Sequence, residues 1–284
     1  MVIRHKNPRF FLFLSVMEHT MHDLTTDGLQ AFMNRFKFDS SKTGRVGVER
    51  ECFVTNKSGI IVPEAPRLLH LLEKLDNERR FGYELSACQV EGHTGPSHID
   101  DLQENLAIGD KLLARALNAL DLSVSYQEVA PADMPLDVFP DPTGRYQVIT
   151  SNMPRNILLA ACRVIGTHVH VGMPNHDTAL KVYDRVAPHC EDLIKLGDNS
   201  GGHRLEIYRE VKQDCEPGPY ATWPDFHREA MREGFDVDLR KCWTLIRISK
   251  FGTIEARMFG ATASLERVTH WARTFHSLCM DAMT

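Results

Sequence analysis

The sequence predicts an α+β fold that is built on a mostly antiparallel sheet. Its strand-like segments and its long helical segments do not alternate strictly along the 284 residues, whereas strict alternation would favour a doubly wound parallel sheet. Several strand-like segments alternate polar with apolar side chains, which is typical of a sheet that packs only one face. No linker-like stretch divides the chain. We therefore expect residues 23–284 to form a single domain.

Residues 1–22 are expected to be a loose N-terminal extension. They begin with a basic stretch, which an apolar run over residues 10–17 follows. That run is short for a signal peptide, and Glu18 stands where a small-residue cleavage site would be needed. No apolar run in the chain reaches the roughly 20 residues of a membrane span.

The first half of the chain is expected to begin with a helix and to continue through strands. Apolar residues recur at helical spacing from Leu29 to Phe36, and a turn sequence at residues 56–59 joins two extended segments as in a hairpin. Ser97 is the expected cap of a long helix. In order, the expected elements are a helix over 24–38, strands over 45–55 and 60–62, a helix over 64–75, an extended segment over 81–94, a helix from Ser97 to about residue 120 and a strand over 122–130.

The second half is expected to open on a long loop. Residues 131–143 contain four prolines, and loops of that length are often functional. Asp177 is the expected cap of a later helix, and Gly252 lies in a break between two strands. In order, the expected elements are a buried strand over 158–171, a helix over 177–196, a Gly/Pro-rich segment over 214–224, two strands within 240–259 and a closing helix over 263–280.

Composition and charge are those of an ordinary globular protein. Apolar residues make up 43% of the chain and charged residues 25%, which are common proportions. The net charge of −5 argues against bulk binding to nucleic acid. The seven cysteines are scattered and form no Cys-x-x-Cys pair, which fits a reducing cytoplasm better than a disulfide framework.

Two strand-like segments each point a pair of polar side chains to one face. Residues two apart on a strand share a face, so Glu49 lies beside Glu51, and His168 beside His170. A solvated glutamate pair or one core histidine would be ordinary, but two histidines on one face of an apolar strand favour a site. Buried carboxylates repel unless a positive charge lies between them. These pairs therefore predict bound divalent cations.

Two further segments carry acidic residues whose placement is less direct. Glu84 and Glu91 are seven apart, so a flat strand would place them on opposite faces. Either a bulge realigns them, or Glu84 precedes the strand and curls inward. Glu255 and Arg257 share a face, and they form either a cross-strand ion pair or a clamp for a phosphoryl group.

Several nucleotide-binding and hydrolytic signatures are missing. The chain has no Walker A sequence, no Gly-x-Gly-x-x-Gly after a strand, no His-Glu-x-x-His and no Gly-x-Ser-x-Gly. Any nucleotide must therefore be held by metals and arginines. Arg145 and Arg209 lie near the two loop-rich stretches, where an arginine is either surface charge or a ligand for carboxylate or phosphate.

The two acidic segments nearest the N-terminus, at residues 47–51 and 84–96, resemble motifs of the glutamate–cysteine ligases. They also resemble those of the bacterial relatives of these enzymes, the carboxylate–amine ligases of the second glutamate–cysteine ligase family. Gly-Val-Glu-Arg-Glu at residues 47–51 looks like the first Gly-x-Glu-x-Glu strand of that family. The spacing from Glu84 to Glu91, followed by Thr-Gly-Pro at residues 94–96, looks like the second motif.

The last two segments complete the resemblance. Gly-Thr-His-Val-His-Val-Gly at residues 166–172 is similar to the third motif of that family, and Gly-Thr-Ile-Glu-Ala-Arg at residues 252–257 matches its last. Each motif by itself is weak, but all four occur in the family's order. The agreement extends from about residue 44 to about residue 275.

The resemblance implies a glutamine-synthetase-like catalytic fold, in which a curved antiparallel sheet forms a funnel flanked by helices. It implies that residues 23–284 are a ligase domain that binds ATP and Mg²⁺ or Mn²⁺. The implied catalytic residues are Arg257 and Glu91. The implied metal ligands are Glu49, Glu51, Glu84, Glu91, His168 and Glu255. The implied substrate or nucleotide contacts are Arg145, Tyr146, Arg209, Arg257 and His170.

The resemblance also implies a reaction. A substrate carboxylate, that of the glutamate side chain by default, attacks the γ-phosphorus of ATP, and an amine then attacks the acyl phosphate to give an amide. The expected partners are an amino acid carboxylate and an amine, with no nucleic acid and no membrane. A cytoplasmic role in glutathione biosynthesis follows from cysteine as the default amine, and a homo-oligomer is left open.

Two alternatives stay open. A metal-dependent hydrolase could use the same carboxylates and histidines to activate water on zinc or manganese, although an acid-rich site favours harder cations than zinc. A noncatalytic nucleotide- or metabolite-sensing domain could keep the fold without turnover. The second alternative is suggested by residues 198–204, which lack the aromatic residues usual in carboxylate–amine ligases, and by Thr244, where an aspartate is common.

Overall fold

The computed structural model describes residues 26–284, so the expected extension over residues 1–22 lies outside the described residues. The helices are α1 (Thr26–Met33), α2 (Ala65–Leu75), α3 (Leu102–Leu120), α4 (Arg145–Thr150), α5 (Arg155–Cys162), α6 (His176–Val186), α7 (Cys190–Gly197), α8 (His203–Val211), α9 (Trp223–Glu233) and α10 (Leu265–Met283). The strands are β1 (Val46–Asn56), β2 (Phe81–Tyr83), β3 (Gln89–His93), β4 (Leu122–Ser125), β5 (Thr167–Gly172), β6 (Ile246–Ile248) and β7 (Thr253–Phe259). Within this part of the chain, no helix is both long enough and apolar enough to cross a membrane.

The strands form one open antiparallel sheet in the order β2-β3-β1-β5-β7-β6, and β4 pairs with the far end of β1. The expected α+β class with an antiparallel sheet is therefore confirmed. Strand β1 is central, because β3 and β5 pair with opposite edges of its middle. Glu49 consequently has His93 of β3 on one side and His168 of β5 on the other.

One face of the sheet packs against helices and forms the main core. Alternate residues of the central strands point to this face, where helices α6 and α10 cover them. The strand residues that join this core include Val46, Val48, Val169, Val171, Ile254 and Ala256. Burying these side chains stabilises the sheet by about 25 cal/mol per Å² of apolar surface removed from water. The intervening residues are left to line the opposite face.

The extended segment expected over residues 81–94 is wrong in one respect, because it divides into β2 and β3. The residues between β2 and β3 do not take part in the pairing of these two strands, and Ser86 forms an isolated bridge with Val138. The Ser86 hydroxyl also accepts a hydrogen bond from the Cys88 N–H at 3.1 Å, which stabilises a local turn. Glu84 therefore precedes β3, as the second of the two expected placements required.

The buried strand expected over residues 158–171 is also wrong in its first half. Residues up to Cys162 belong to helix α5, and the strand begins only at Thr167. A short apolar run has no period that separates a buried helix from a buried strand. The histidine-bearing part of the segment lies in β5 as expected.

Two helix starts differ from expectation. Ser97 does not cap α3, because it bridges to Val46 of β1 and the helix begins five residues later at Leu102. Asn175 rather than Asp177 caps α6, since its side-chain oxygen accepts the Thr178 N–H at 2.9 Å. The helix expected over residues 177–196 divides near Pro188, whose nitrogen has no hydrogen to donate.

No strand forms over the expected residues 60–62, where Ile61 makes only an isolated bridge to Thr55. Most other elements agree with expectation in type, with shifted ends. The expected helix over 24–38 is α1, the helix over 64–75 is α2, the closing helix is α10, the strand over 45–55 is β1, and the two strands within 240–259 are β6 and β7. The strand expected over 122–130 is shorter, as β4. Helices α8 and α9 were not expected, because their apolar periodicity lies beside the Gly/Pro-rich segment that marked this region as a loop.

Candidate active site

Strands β1 and β5 bring two carboxylates and two imidazoles to the face opposite the core. Glu49 Oε2 lies 3.1 Å from His168 Nδ1 and 3.4 Å from His170 Nε2. His168 Nε2 lies 3.6 Å from Glu51 Oε1. The period of two along each strand places these side chains on one face, and the antiparallel register brings the two pairs together.

The second acidic segment joins this group from β3. Glu91 is directly opposite Glu51 in the β1–β3 pair. Glu84 reaches the same space from the loop between β2 and β3, and one carboxylate oxygen from each of Glu51, Glu84 and Glu91 lies within 4.8 Å of the others. Three carboxylates this close require protons or cations between them.

Strand β7 adds Glu255, whose side chain is fully buried. Its two oxygens are held by two guanidinium groups: Arg257 Nη1 donates to Oε1 at 2.6 Å, and Arg247 Nε donates to Oε2 at 2.7 Å. Across the β5–β7 pair, Glu255 faces His170. Arg247 was missed by the sequence reasoning, although it lies opposite Glu255 across the hairpin turn at residues 250–252.

The orientation of His170 leaves one ring nitrogen free for a ligand. Its Nδ1 lies 2.9 Å from the Thr253 hydroxyl, which fixes the ring. Its Nε2 is buried without a hydrogen-bond partner and faces Glu49. A ring held at one nitrogen with the other free is typical of a metal-binding histidine.

Three overlapping groups of side chains could each hold a cation. Within each group, one ligand atom per residue lies within 4.8 Å of the others. The groups share Glu49 and Glu91, so they form a continuous row across the sheet. Two of the groups combine carboxylate oxygens with one imidazole and the third has carboxylates alone, and such ligand sets suit Mg²⁺ and Mn²⁺. The groups are Glu49 with His170 and Glu255, Glu49 with Glu91 and His168, and Glu51 with Glu84 and Glu91.

One end of the row holds surplus negative charge. Burial and the neighbouring Glu84 raise the pKa of Glu51 to about 8. Burial, Glu49 and Glu84 raise the pKa of Glu91 well above its ordinary value, and burial also raises that of Glu84. Carboxyl groups that resist ionisation in the absence of a cation become good ligands once a cation is present.

The other end of the row is better balanced. Burial favours a higher pKa for Glu49, but His170 and His168 together lower it well below its ordinary value. Burial likewise opposes ionisation of Glu255, and Arg247, His170 and Arg257 outweigh it, so that its pKa is lowered. These two carboxylates are charged at neutral pH.

The two histidines differ in their protonation. Burial, with help from Arg257, lowers the pKa of His168 to about 4, so its ring is neutral at pH 7 and can bind a cation. Burial also acts against a charge on His170, but Glu49 and Glu255 outweigh it and raise its pKa. A cation beside His170 would replace that proton.

A cavity of about 490 Å³ opens beside the row. Glu49, Glu91 and His170 line it on the side of the row. Lys37, Lys42 and Arg45 line it on the basic side, and its apolar lining includes Met173, Pro96 and Phe251. His93 also lines this cavity, and it was missed because the expected strand pattern drew attention to Glu91 alone. The volume is in the range of small-molecule sites.

The three expected loop and helix contacts lie outside the row. Arg145 Nη2 lies 4.0 Å from Asp238 Oδ2, and Arg145 Cζ lies 5.7 Å from the centre of the Tyr146 ring. Burial and the nearby Glu84 raise the pKa of Tyr146, which places that side chain at the border of the acidic cluster. Arg209 instead forms an ion pair with Glu216 at 2.7 Å, and its side chain is partly exposed. The structure therefore brings Tyr146 near the site and does not bring Arg209 there.

Comparisons with known proteins place the chain among glutamate–cysteine ligases of one family. The sequence profile of glutamate–cysteine ligase family 2 (GCS2) matches residues 45–201, which is more than half of the chain. A protein of Thermobifida fusca (strain YX), provisionally named glutamate–cysteine ligase 2, is 25% identical over 264 residues, which cover 85% of this chain and 65% of that protein. A protein of Rhodococcus jostii (strain RHA1), provisionally named glutamate–cysteine ligase 2-1, is 29% identical over 175 residues, which cover 58% and 44%.

A solved structure supports the fold. The bifunctional glutathione synthetase from Pasteurella multocida superposes with a TM-score of 0.57 at 13% identity, over 90% of this chain and 39% of that chain. At this identity the similarity concerns the fold alone. The chain spans 65% or less of the length of the two curated relatives described above. The match to the family profile covers the first three motifs, and the fourth motif completes the same row of side chains. The chain therefore belongs to glutamate–cysteine ligase family 2.

Proposed function

We propose that this chain is an ATP-dependent carboxylate–amine ligase that joins the side-chain carboxylate of glutamate to an amine through an acyl phosphate. The observation that carries the proposal is the row of three overlapping candidate cation-binding groups beside two largely buried arginines, Arg247 and Arg257. The names of the relatives support glutamate as the acid and cysteine as the amine, and hence a role in glutathione biosynthesis. The seven free, buried cysteines suit a cytoplasmic enzyme.

The row of side chains fits divalent cations. His170 Nε2 is buried, lies 3.4 Å from Glu49 Oε2 and has no hydrogen-bond partner. Together with the carboxylates whose pKa values are raised, it supports ligand positions that protein groups alone leave unsatisfied. Bound Mg²⁺ or Mn²⁺ would neutralise the phosphate oxygens and so favour attack by a carboxylate. The residues that would hold the cations are those expected from the sequence, with His170 added to them.

The adjoining cavity suits the nucleotide. Its lining includes Lys37, Arg45 and Lys42, the last of which pairs with Asp39 at 3.2 Å, and these basic groups complement a polyphosphate. Phe251 offers an exposed aromatic surface for a base. The acidic row lies at the same cavity, so a triphosphate in it could extend toward Glu49 and Glu91. This arrangement replaces the glycine-rich phosphate loop that the sequence lacks.

Arg257 and Arg247 are placed to act on the transferring phosphoryl group. Glu255 holds both guanidinium groups, and the Arg257 Nε is buried without a partner, so it can still donate. A fork of fixed donors stabilises the charge that develops on equatorial phosphate oxygens. The substrate carboxylate oxygen bonds to the γ-phosphorus as the bond to ADP breaks. The amine nitrogen then bonds to the acyl carbon, phosphate leaves with its bridging oxygen, and the amine releases a proton.

The proposal is tested by a screen for ADP release in the presence of Mg²⁺ and ATP. We expect release to require both glutamate and an amine, with cysteine among the effective amines. Hydroxylamine should replace the amine and give a glutamyl hydroxamate, which reports the acyl phosphate directly. Binding of ATP without turnover for any pair would instead favour the sensing domain. Hydrolysis that needs neither ATP nor an amine would favour the metal-dependent hydrolase.

A further inference from the structure

Strand β7 contains a bulge at the point where it meets the histidine-bearing strand. The register of the β5–β7 pair shifts between Thr167 and Val169, so that Arg257 and Met258 together oppose the single residue His168. A bulge leaves ladder groups unpaired and changes the direction of a side chain. The positions of His168 and Arg257 at the candidate site therefore depend on what holds this bulge.

The Arg204 side chain binds the backbone of the bulge. Arg204 lies in the first turn of α8 and is only 3% exposed. Its Nε donates to the Ile165 carbonyl at 2.7 Å, its Nη1 to the Met258 carbonyl at 3.2 Å and its Nη2 to the Arg257 carbonyl at 3.2 Å. A planar guanidinium can serve three carbonyls in fixed directions, which a lysine ammonium cannot do. The bulge is thereby tied to the chain that enters β5.

Gly166 links this guanidinium to the acidic cluster. Its N–H donates to Glu51 Oε2 at 2.7 Å and so orients that carboxylate. A Cβ at this position would lie 2.8 Å from the Arg204 Cζ and 2.9 Å from the Phe259 carbonyl oxygen. The guanidinium can therefore lie against the backbone only because residue 166 is a glycine. One contact surface thus connects α8, the bulge and Glu51.

Electrostatics agree with this geometry. Burial lowers the pKa of Arg204, and the carboxylates of Glu51 and Glu128 oppose that effect. An arginine remains charged in a protein interior, so a permanent positive charge lies behind the most acid-rich end of the row. That charge partly offsets the repulsion that Glu84 exerts on Glu51.

We propose that Arg204 is a positioning residue for the candidate cation row. It holds the β7 bulge and Gly166 so that Arg257 and Glu51 face the same space, and it does not touch a substrate itself. The proposal rests on the proposed function in one respect, namely that the row binds divalent cations. Arg204 belongs to residues 198–204, the stretch that lacks the aromatic residues usual in carboxylate–amine ligases.

The test is a titration of the full chain with Mn²⁺ alone. The electron paramagnetic resonance signal of free Mn²⁺ measures how much of the ion remains unbound. The variants are Arg204→Gln and Arg204→Lys. The control is Arg228→Gln on α9, where an exposed arginine pairs with Asp225. We expect both Arg204 variants to bind Mn²⁺ about 10- to 100-fold more weakly, as is typical when the support of a metal ligand is lost. Lysine should not restore binding, because it keeps the charge and loses the fork.

The outcomes separate this proposal from the proposed function. Wild-type protein that binds no Mn²⁺ would overturn both. Wild-type binding that Arg204→Gln retains at full affinity would overturn the role of Arg204 alone, even if the melting temperature falls, because only a structural role would then remain. Should Arg204→Gln fail to fold, Gly166→Ala decides the question, since it keeps the charge and displaces the guanidinium. An unchanged Mn²⁺ affinity in Gly166→Ala would contradict the proposal.

Discussion

The two faces of strand β1 differ in whether their buried charges have counter-ions within the protein. On the core side, Arg50 is 7% exposed and its charge is paired: Nη1 donates to Asp110 at 2.7 Å and Nη2 donates to the Thr262 carbonyl at 3.1 Å, whereas Nε has no hydrogen-bond partner. On the other side, Glu49 and Glu51 lie among further carboxylates with too few protein cations to pair them. Arg50 thus has its counter-ion within the protein, whereas its neighbours Glu49 and Glu51 belong to a cluster with surplus negative charge.

This difference distinguishes a structural charge from a functional one. A buried pair with both partners present needs nothing more, and it is costly only when one partner is removed. A cluster with surplus carboxylates destabilises the metal-free protein and is retained where a ligand completes it. The raised pKa values of Glu51, Glu84 and Glu91 mark the incomplete face.

The largest expected effect comes from Glu91→Gln on the incomplete face. Glu91 belongs to two of the three candidate cation-binding groups, so under the proposed function the variant should lose about a thousand-fold in turnover by ADP release. Its metal-free form should melt no lower than wild type at pH 8, because a repelling carboxylate has been replaced by a neutral amide of the same shape.

The matched control on the completed face is Asp110→Asn, which makes the same chemical change next to Arg50. Here turnover per folded molecule should remain close to wild type, and the melting temperature should fall. Similar activity losses in the two variants would show that the two faces do not differ as described.

Arg257→Lys is expected to have the next largest effect. Lysine retains the positive charge, but it cannot bind Glu255 and a phosphoryl oxygen through one rigid fork. We expect kcat to fall about a hundred-fold while the protein remains folded by circular dichroism. A loss of only about twofold would argue against a phosphoryl clamp and for a simple ion pair, whose exposed examples are worth little.

Arg50→Met should affect stability rather than chemistry. The variant removes hydrogen bonds from a charged donor to Asp110 and to the Thr262 carbonyl, which should cost about 1–3 kcal/mol in the free energy of unfolding. Urea denaturation measures this cost, and the activity of the folded fraction should be retained. An activity loss as large as that of Arg257→Lys would mean that Arg50 belongs to the site.

Local patterns were sufficient to predict the elements that carry the site. The period of two put Glu49 with Glu51 and His168 with His170, and the break at Gly252 separated two strands. Strand register across the sheet could not be predicted this way, because it depends on contacts between distant segments. The bulge opposite His168 is a product of that register, so no local rule could reveal it.

The site residues on helices were harder to predict than those on strands. Arg209 was expected at the site and pairs with Glu216 outside it, whereas the unexpected Arg204 on the same helix reaches the interior. Five residues at 100° each turn the helix through about 500°, so these two side chains point about 140° apart. The orientation of α8 relative to the sheet, and hence which of the two side chains points to it, cannot be predicted from the sequence of the helix alone.

The smallest expected effect is a pH dependence that belongs to the incomplete face alone. The pKa of Glu51 is raised from its ordinary 4.5 to about 8, so the folded state holds this proton more tightly than the unfolded state. Stability must then fall as pH rises between these two values. The raised pKa of His170 acts in the same direction, and the lowered pKa of His168, about 4, acts in the opposite direction only below pH 6.5.

Between pH 6.5 and 8 the melting temperature of the metal-free protein should therefore decrease by a few degrees, at about 2–4 °C for each kcal/mol lost. Added Mn²⁺ should remove most of this decrease, because the cation takes the place of the proton and binds more tightly as pH rises. Glu51→Gln should make the metal-free profile flatter, and Asp110→Asn should leave its slope unchanged. A wild-type profile that is flat without metal would mean that Glu51 is ionised there by a protein charge already present, and the contrast between the two faces of β1 would lose its electrostatic basis.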